Sequence, residues 1–173
     1  MVDPLDGTKD FLAANGEFTV NISLVSHGRP MLGVVFAPAI DDLYWGTQKL
    51  GAWRIRGGIA TSLKPSEKSV ERKMAVSRFH DHPDLDIFAA QNKIVNRVAI
   101  GSALKFGLLA AAEVDVLPRL VGSSEWDIAA GQAILEAVGG CVLDWHTGNS
   151  LQYGKSRRRN PRFLALRAPY SRG

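Results

Sequence analysis

The stretch EFTVNISLVSHGRPMLGVVFA, residues 17–37, decides the fold class. Phe18, Val20, Ile22 and Leu24 alternate with Thr19, Asn21 and Ser23, the period-two pattern of a half-buried strand. His27-Gly28-Arg29-Pro30 turns the chain. The apolar run from Met31 to Ala37 then reads as a returning strand buried on both faces. Residues 42–47 and 52–56 add two more short strands, so the front third is an antiparallel meander.

Upstream of the meander, Asp3 to Gly7 reads as a turn, because Pro4 fixes its own φ and Gly7 permits an unusual one. Thr8 is predicted to cap a short helix over 8–14, stopped by Asn15-Gly16. Downstream, the polar residues 59–73 read as a loop, followed by a strand over 74–77. A helix over 83–93 carries Pro83 in its first turn, and a strand covers 97–100. Ser102 opens a helix to about residue 113, with a strand at 114–117 behind it. The clearest helix spans 125–138, where Trp126, Ala130, Ala133, Ile134 and Ala137 share a face and Gly139-Gly140 ends it. Strands at 141–145 and 163–166 complete the pattern, with a turn at 146–149 between them. The fold class is mixed α/β (α+β), with stacked layers and mixed sheets. Residues 1–173 form a single domain, with the meander in 1–78 and an α/β half in 79–173.

Composition narrows the function classes. Of 173 residues, 46% are hydrophobic and 22% charged, as in ordinary soluble domains. No apolar run is long enough to span a bilayer, and the lone Cys141 precludes an internal disulfide, which fits a cytoplasmic setting. Peripheral membrane association stays open. The net charge of +4 is concentrated near the C-terminus, in Lys155, Arg157, Arg158, Arg159, Arg162, Arg167 and Arg172. A solvated tail is the expectation there, with no nucleic-acid partner; a basic surface also suits a small polyanionic substrate.

Asp3 and Asp6, in DPLDGTKDF at residues 3–11, place two carboxylates close together, which repel unless a proton or a cation intervenes. Hard oxygen ligands on a tight turn suit Mg²⁺ or Mn²⁺, and the Leu5 carbonyl adds a neutral oxygen. Gly7 and Thr8 offer backbone N–H groups at a helix start, a place for a phosphate. The same residues also fit a plain turn with two capping acids. Asp127, in SSEWDIAAGQAILEAVGG at 123–140, sits in a first helical turn where the helix dipole favours an acid. Held on rigid structure, it would supply a third carboxylate to a cation site.

Taken as a pair, DPLDGTKDF and WDIAAGQAILEAVGG resemble the signatures of the inositol monophosphatase-like superfamily of Mg²⁺-dependent, lithium-sensitive phosphatases. The longer stretch from Val2 to Pro38, with AVSRFH, GSALKF and the PR before EWD, resembles its branch of 3′(2′),5′-bisphosphate nucleotidases. The resemblance runs over essentially the whole chain. It implies a sugar-phosphatase-type layered fold and at least two Mg²⁺ ions, with Mn²⁺ an alternative. Asp3 would bridge the ions, the Leu5 carbonyl would help hold the first, and Asp6 and Asp127 the second. Asp6 and Thr8 would be the catalytic residues, Thr8 orienting the attacking water, while the Gly7 and Thr8 amides hold the phosphate. His80, Ser102, Lys105 and Arg119 would meet the substrate, a small phosphorylated nucleotide. Departures from the branch fall at Leu117, where an aromatic is common, and at Phe79, where a small residue is expected.

The implied reaction is hydrolysis of adenosine 3′,5′-bisphosphate to AMP and phosphate, the nucleotide recycling of sulfur assimilation. Inositol phosphate or fructose bisphosphate is the alternative substrate, and a non-catalytic binding fragment the alternative class. In this family a helical segment precedes the first signature and supplies further acids, whereas Met1 and Val2 alone precede Asp3 here. The expectation is an N-terminally truncated chain with an exposed apolar face open to a covering partner. Weak metal binding and little turnover by this chain alone would follow.

Overall fold

The computed structural model describes residues 1–67, 69–79 and 82–169. Six strands form an antiparallel meander in sequence order: β1 (Val2–Asp6), β2 (Thr19–Ser26), β3 (Arg29–Ala37), β4 (Asp42–Thr47), β5 (Gly51–Arg56) and β6 (Ile59–Leu63). The short helix α1 (Thr8–Leu12) joins β1 to β2. A second sheet is mixed and contains β7 (Lys73–Ser77), β8 (Asn96–Ile100), β9 (Val116–Arg119), β11 (Cys141–Asp144) and β13 (Phe163–Leu166). Its strand order is β11-β13-β9-β7-β8, with β7 parallel to both β8 and β9. A two-stranded ribbon pairs β10 (Ser123–Ser124) with β12 (Arg159–Asn160). The remaining helices are α2 (Asp84–Gln91), α3 (Leu104–Ala110) and α4 (Glu125–Glu136).

Helices α3 and α4 fill the space between the sheets. Phe106, Leu109, Ile128 and Ile134 join Val35 and Tyr44 of the meander and Ala75, Leu117, Phe163 and Ala165 of the second sheet in one core. The alternate residues Met74, Val116, Leu164 and Leu166 face the other way and meet Ala89 of α2. The order of layers is therefore sheet, helices, sheet, helix, as the mixed α/β expectation required.

The meander faces inward with the small, polar side of its alternating pattern. In β2 it is Thr19, Asn21 and Ser23 that are buried, while Ile22 and Leu24 are exposed. The reason lies in how closely α4 approaches. Ser23 opposes Gly33, Gly33 opposes Gly46, and Gly46 opposes Ala52, a row of small residues crossing four strands. Helix α4 lies over this row: a Cβ on Gly33 would stand 2.0 Å from the Ala130 carbonyl oxygen, and one on Gly46 3.1 Å from Ile134 Cα. Large apolar side chains do not fit beneath such a helix, so they populate the outward face. Val2 opposes Ile22, Ile22 opposes Val34, Val34 opposes Trp45, and Trp45 stacks on Trp53 with ring centres 6.3 Å apart. Val2 (60%), Ile22 (45%) and Leu24 (60%) are the most exposed members of this surface.

Other departures are local. Asp3 to Gly7 is mostly strand, and residues 59–63 form the edge strand β6 instead of loop. Gly7, in the left-handed region at φ 84°, caps α1, and Thr8 is its first helical residue instead of its cap. The Arg-rich segment is no free tail: it contributes β12 and β13, and Arg167 is buried in an ion pair with Asp115 at 2.7 Å. Among the described residues no helix is long and apolar enough to cross a membrane.

Candidate active site

The β1–β2 ladder aims two carboxylates at one point. Asp3 pairs with Asn21 and Asp6 with Thr19, so three steps along β1 oppose two along β2. Residues three apart on a regular strand point to opposite faces. The additional residue forms a β-bulge and restores Asp3 and Asp6 to the same, inward face. Each carboxylate is then fixed by donors. The Leu5 amide donates to Asp3 Oδ1 (3.1 Å), while the Ala103 amide (2.6 Å) and Asn21 Nδ2 (3.3 Å) donate to Asp6 Oδ2.

Helix α4 brings the third carboxylate. Ser124 and Asp127 form a capping box, in which the Ser124 amide donates to Asp127 Oδ2 at 2.8 Å. Asp3, Asp6 and Asp127 each offer an oxygen lying within 4.8 Å of the others. Residues far apart in sequence thus converge on one cluster of hard oxygen donors, and the donor set fits Mg²⁺ or Mn²⁺.

Bare carboxylates at this spacing are held in their charged forms at a cost. Burial raises the Asp6 pKa and the Asp3 charge adds to it, while the Lys105 ammonium pulls in the other direction. Asp127 is pushed up to about 6, chiefly by burial and further by Asp6 and Asp3. Both shifts have the sign expected where a cation belongs between the groups.

A cavity of about 370 Å³ adjoins the cluster. Gly7, Thr8, Ser102, Lys105, Leu117 and Arg119 line it together with Asp6 and Asp127. Ser102 sits just before α3, where its hydroxyl donates to the Glu17 carbonyl at 2.5 Å. Lys105 is buried instead of solvated; its Nζ donates to the Ile100 (3.0 Å) and Ser102 (2.6 Å) carbonyls. Burial lowers its pKa to about 8. Arg119 ends β9 with its guanidinium mostly enclosed, and that burial lowers its pKa. His80 lies outside the described residues.

The inositol monophosphatase family model matches residues 1–167. The chain belongs to the inositol monophosphatase family. Within this family it is 40% identical over 153 residues to the 3′(2′),5′-bisphosphate nucleotidase CysQ of Salmonella typhimurium, a match covering 88% of this chain and 61% of that protein. It is 41% identical over 165 residues to the CysQ of Buchnera aphidicola, covering 91% of this chain and 59% of that protein. The chain thus spans about 60% of the length of these curated relatives. The crystal structure of CysQ from Bacteroides thetaiotaomicron, a bacterial member of the family, superposes with a TM-score of 0.88 at 33% identity, covering 98% of this chain and 69% of that one.

Three acids to which the sequence reading gave no role in the site also hold it together. Glu17 accepts the Gly101 amide (2.7 Å) and the Arg78 guanidinium (2.6 Å), tying the loop before β2 to the segment that carries Ser102 and Ala103. Asp10 is buried so close to Gly101 that a Cβ there would lie 2.3 Å from its carboxyl carbon. Glu125 is fully buried at the start of α4 and accepts the Gly154 and Lys155 amides at 3.0 Å each. Nothing in the spacing of these residues marks them. The one available hint for Glu125 was an acid beside Asp127 with a basic run downstream.

Proposed function

We propose that this chain carries the catalytic centre of a Mg²⁺-dependent phosphomonoesterase whose substrate is adenosine 3′,5′-bisphosphate, hydrolysed to AMP and phosphate. The observation that carries the reading is the convergence of Asp3, Asp6 and Asp127 within 4.8 Å beside a cavity lined by Lys105 and Arg119. The nucleotidase names of the relatives support the substrate. Asp3, Asp6, Asp127 and the Leu5 carbonyl would hold the cations. Bound Mg²⁺ supplies charge neutralisation at the phosphoryl group and makes a water acidic enough to attack it.

The chain's own groups do the rest. The Gly7 and Thr8 amides receive phosphate oxygens, and the Thr8 hydroxyl orients the attacking water. Lys105 helps keep Asp6 ionised from beneath. Ser102 and Arg119 face the remainder of the substrate across the cavity.

Phosphate release is the direct assay. Release from adenosine 3′,5′-bisphosphate is expected to be slow, to need Mg²⁺, to stop with EDTA, and to exceed release from inositol 1-phosphate. Metal-independent release, or equal rates on both substrates, contradicts the proposal.

Cation binding should also follow pH in a fixed direction. A cation competes with the proton on Asp127, whose pKa is near 6. Affinity therefore falls as the pH drops through about 6, and it flattens well above that value. Calorimetric titration of Mg²⁺ between pH 5 and 8 reads the trend; a flat profile removes Asp127 from the ligand set.

A further inference from the structure

The outward side of the meander is apolar across its full width. Val20, Phe36, Leu43, Ile55 and Ala60 stand in register there, one from each strand from β2 to β6. The adjoining row runs from Val2 through Trp45 and Trp53 to Ser62. A third row holds Leu24, Leu32 and Thr47. No residue of these rows carries a charge. The charged neighbours Asp42 and Arg54 point inward instead and pair with each other at 2.8 Å.

Helices α3 and α4 pack on the inward side, where the carboxylate cluster also lies, and they leave the outward side to solvent. Val2, Ile22 and Leu24 are exposed as a result, while Trp45 and Trp53 are half-buried by their neighbours in the sheet alone. Soluble monomers rarely leave a continuous apolar patch of more than a few hundred Å² in water. With strands about 4.8 Å apart and residues about 3.4 Å apart along each, the three rows and the reach of their side chains cover on the order of 600 Å².

Three properties of this face match it to itself. It is uncharged, so opposing it to its own copy brings no like charges together, although the whole chain carries +4. Sheets twist with one hand, and two sheets of equal twist stack face to face with their strands about 30° apart, so a second meander has the complementary shape. Covering the patch on both copies buries about 1,200 Å², which reaches the range of specific, stable interfaces.

We propose that two copies of this chain stack their meanders through these outward faces, in a two-fold symmetric sandwich with the sheets about 10 Å apart. Val2, Ile22 and Leu24 of each copy are then covered by the partner's sheet. The cavity and the three acids lie on the other side of each meander, so both sites stay open. The pairing needs neither metal nor substrate.

Sedimentation velocity and light scattering of the full 173-residue chain in EDTA test the pairing. Wild type should have twice the mass of one chain, with a dissociation constant of about micromolar or tighter. Its tryptophan emission should move to shorter wavelength as dimer forms, because Trp45 and Trp53 leave water. Ile22→Lys and Leu24→Lys should each weaken the dimer at least about 100-fold, since a two-fold contact counts every substitution twice. Both positions are exposed in the single chain, and circular dichroism will show that the variants fold; if one does not, the other reads the same contact. Val95→Lys, at an exposed position before β8 in the other sheet, should pair as wild type does. A wild-type chain still monomeric about 100-fold above micromolar overturns the proposal and leaves the face to a polypeptide of another sequence. A dimer that survives both lysine substitutions overturns it as well. So does growth to species without a limiting mass, because an isologous contact closes at two.

Discussion

Replacing Asp127 with Asn should lower divalent-cation affinity by more than about 100-fold, because loss of a mere outer partner of a metal ligand already costs about 10–100-fold. Asn keeps an oxygen for the Ser124 amide, so the helix cap survives, and the loss falls on the cluster. The same substitution should act in the opposite direction on the metal-free chain. In the folded state the Asp127 pKa is about 6, against 3.8 for a free carboxyl. A raised acid binds its proton more tightly when folded. Its contribution to stability is therefore complete below about pH 3.8 and lost as the pH rises through about 6. At neutral pH the charge costs the folded state on the order of 2 kcal/mol after allowance for partial exposure.

Melting curves read both effects. In EDTA at pH 7 the Asp127→Asn variant should melt above wild type, and the gap should close near pH 4. Added Mg²⁺ should raise the wild-type melting temperature and barely move the variant. A variant that melts below wild type in EDTA would show that the three acids do not strain one another.

Gly33→Ala should be the most damaging single methyl in the meander. Its Cβ would lie 2.0 Å from the Ala130 carbonyl oxygen and 2.9 Å from Ala130 Cα, both backbone atoms of α4. Backbone does not swing aside as a flexible side chain does, so the helix must lift from the sheet. Overpacking costs typically about 1–3 kcal/mol, and a collision this close belongs at the upper end. For a chain of this length that is a melting-temperature drop of roughly 6–12 °C. Gly46→Ala, whose nearest neighbours stand 3.1 Å away, should cost clearly less. Because α4 also carries Asp127, lifting it separates Asp127 from Asp3 and Asp6. Gly33→Ala should therefore weaken cation binding along with stability, and equal effects of Gly33→Ala and Gly46→Ala on both would refute the close-helix explanation.

What could be read in the sequence was whatever depends on local pattern. The meander, the α4 helix and the alternation of strands and helices in the second half all follow from periodicity and turn residues, and they are present. What could not be read depends on pairing across the chain. Alternation in β2 marks two faces without saying which one is inside. The inner one, Thr19, Asn21 and Ser23, is small and polar because α4 runs so near it. The bulge that turns Asp3 and Asp6 to one side exists only in the register with β2, so the sequence suggested a turn where a strand lies. The polar stretch 59–73 read as loop hid β6 at its start, an exposed edge paired through its backbone with β5. The basic run near the C-terminus looked solvated because its partners, Glu125, Asp84 and Asp115, are remote in sequence. The three acids themselves were legible as a family signature, yet their spacing within 4.8 Å is a product of the bulge and the capping box together.

Mn²⁺ is the probe that settles whether this cluster is a cation site, since it accepts the same hard oxygen ligands as Mg²⁺ and scatters anomalously. Crystals grown with Mn²⁺ should give anomalous density between the carboxylates of Asp3, Asp6 and Asp127, and that density should vanish in Asp127→Asn. Manganese found elsewhere, or no density at the three acids when Mn²⁺ is saturating, would contradict the assignment of the site.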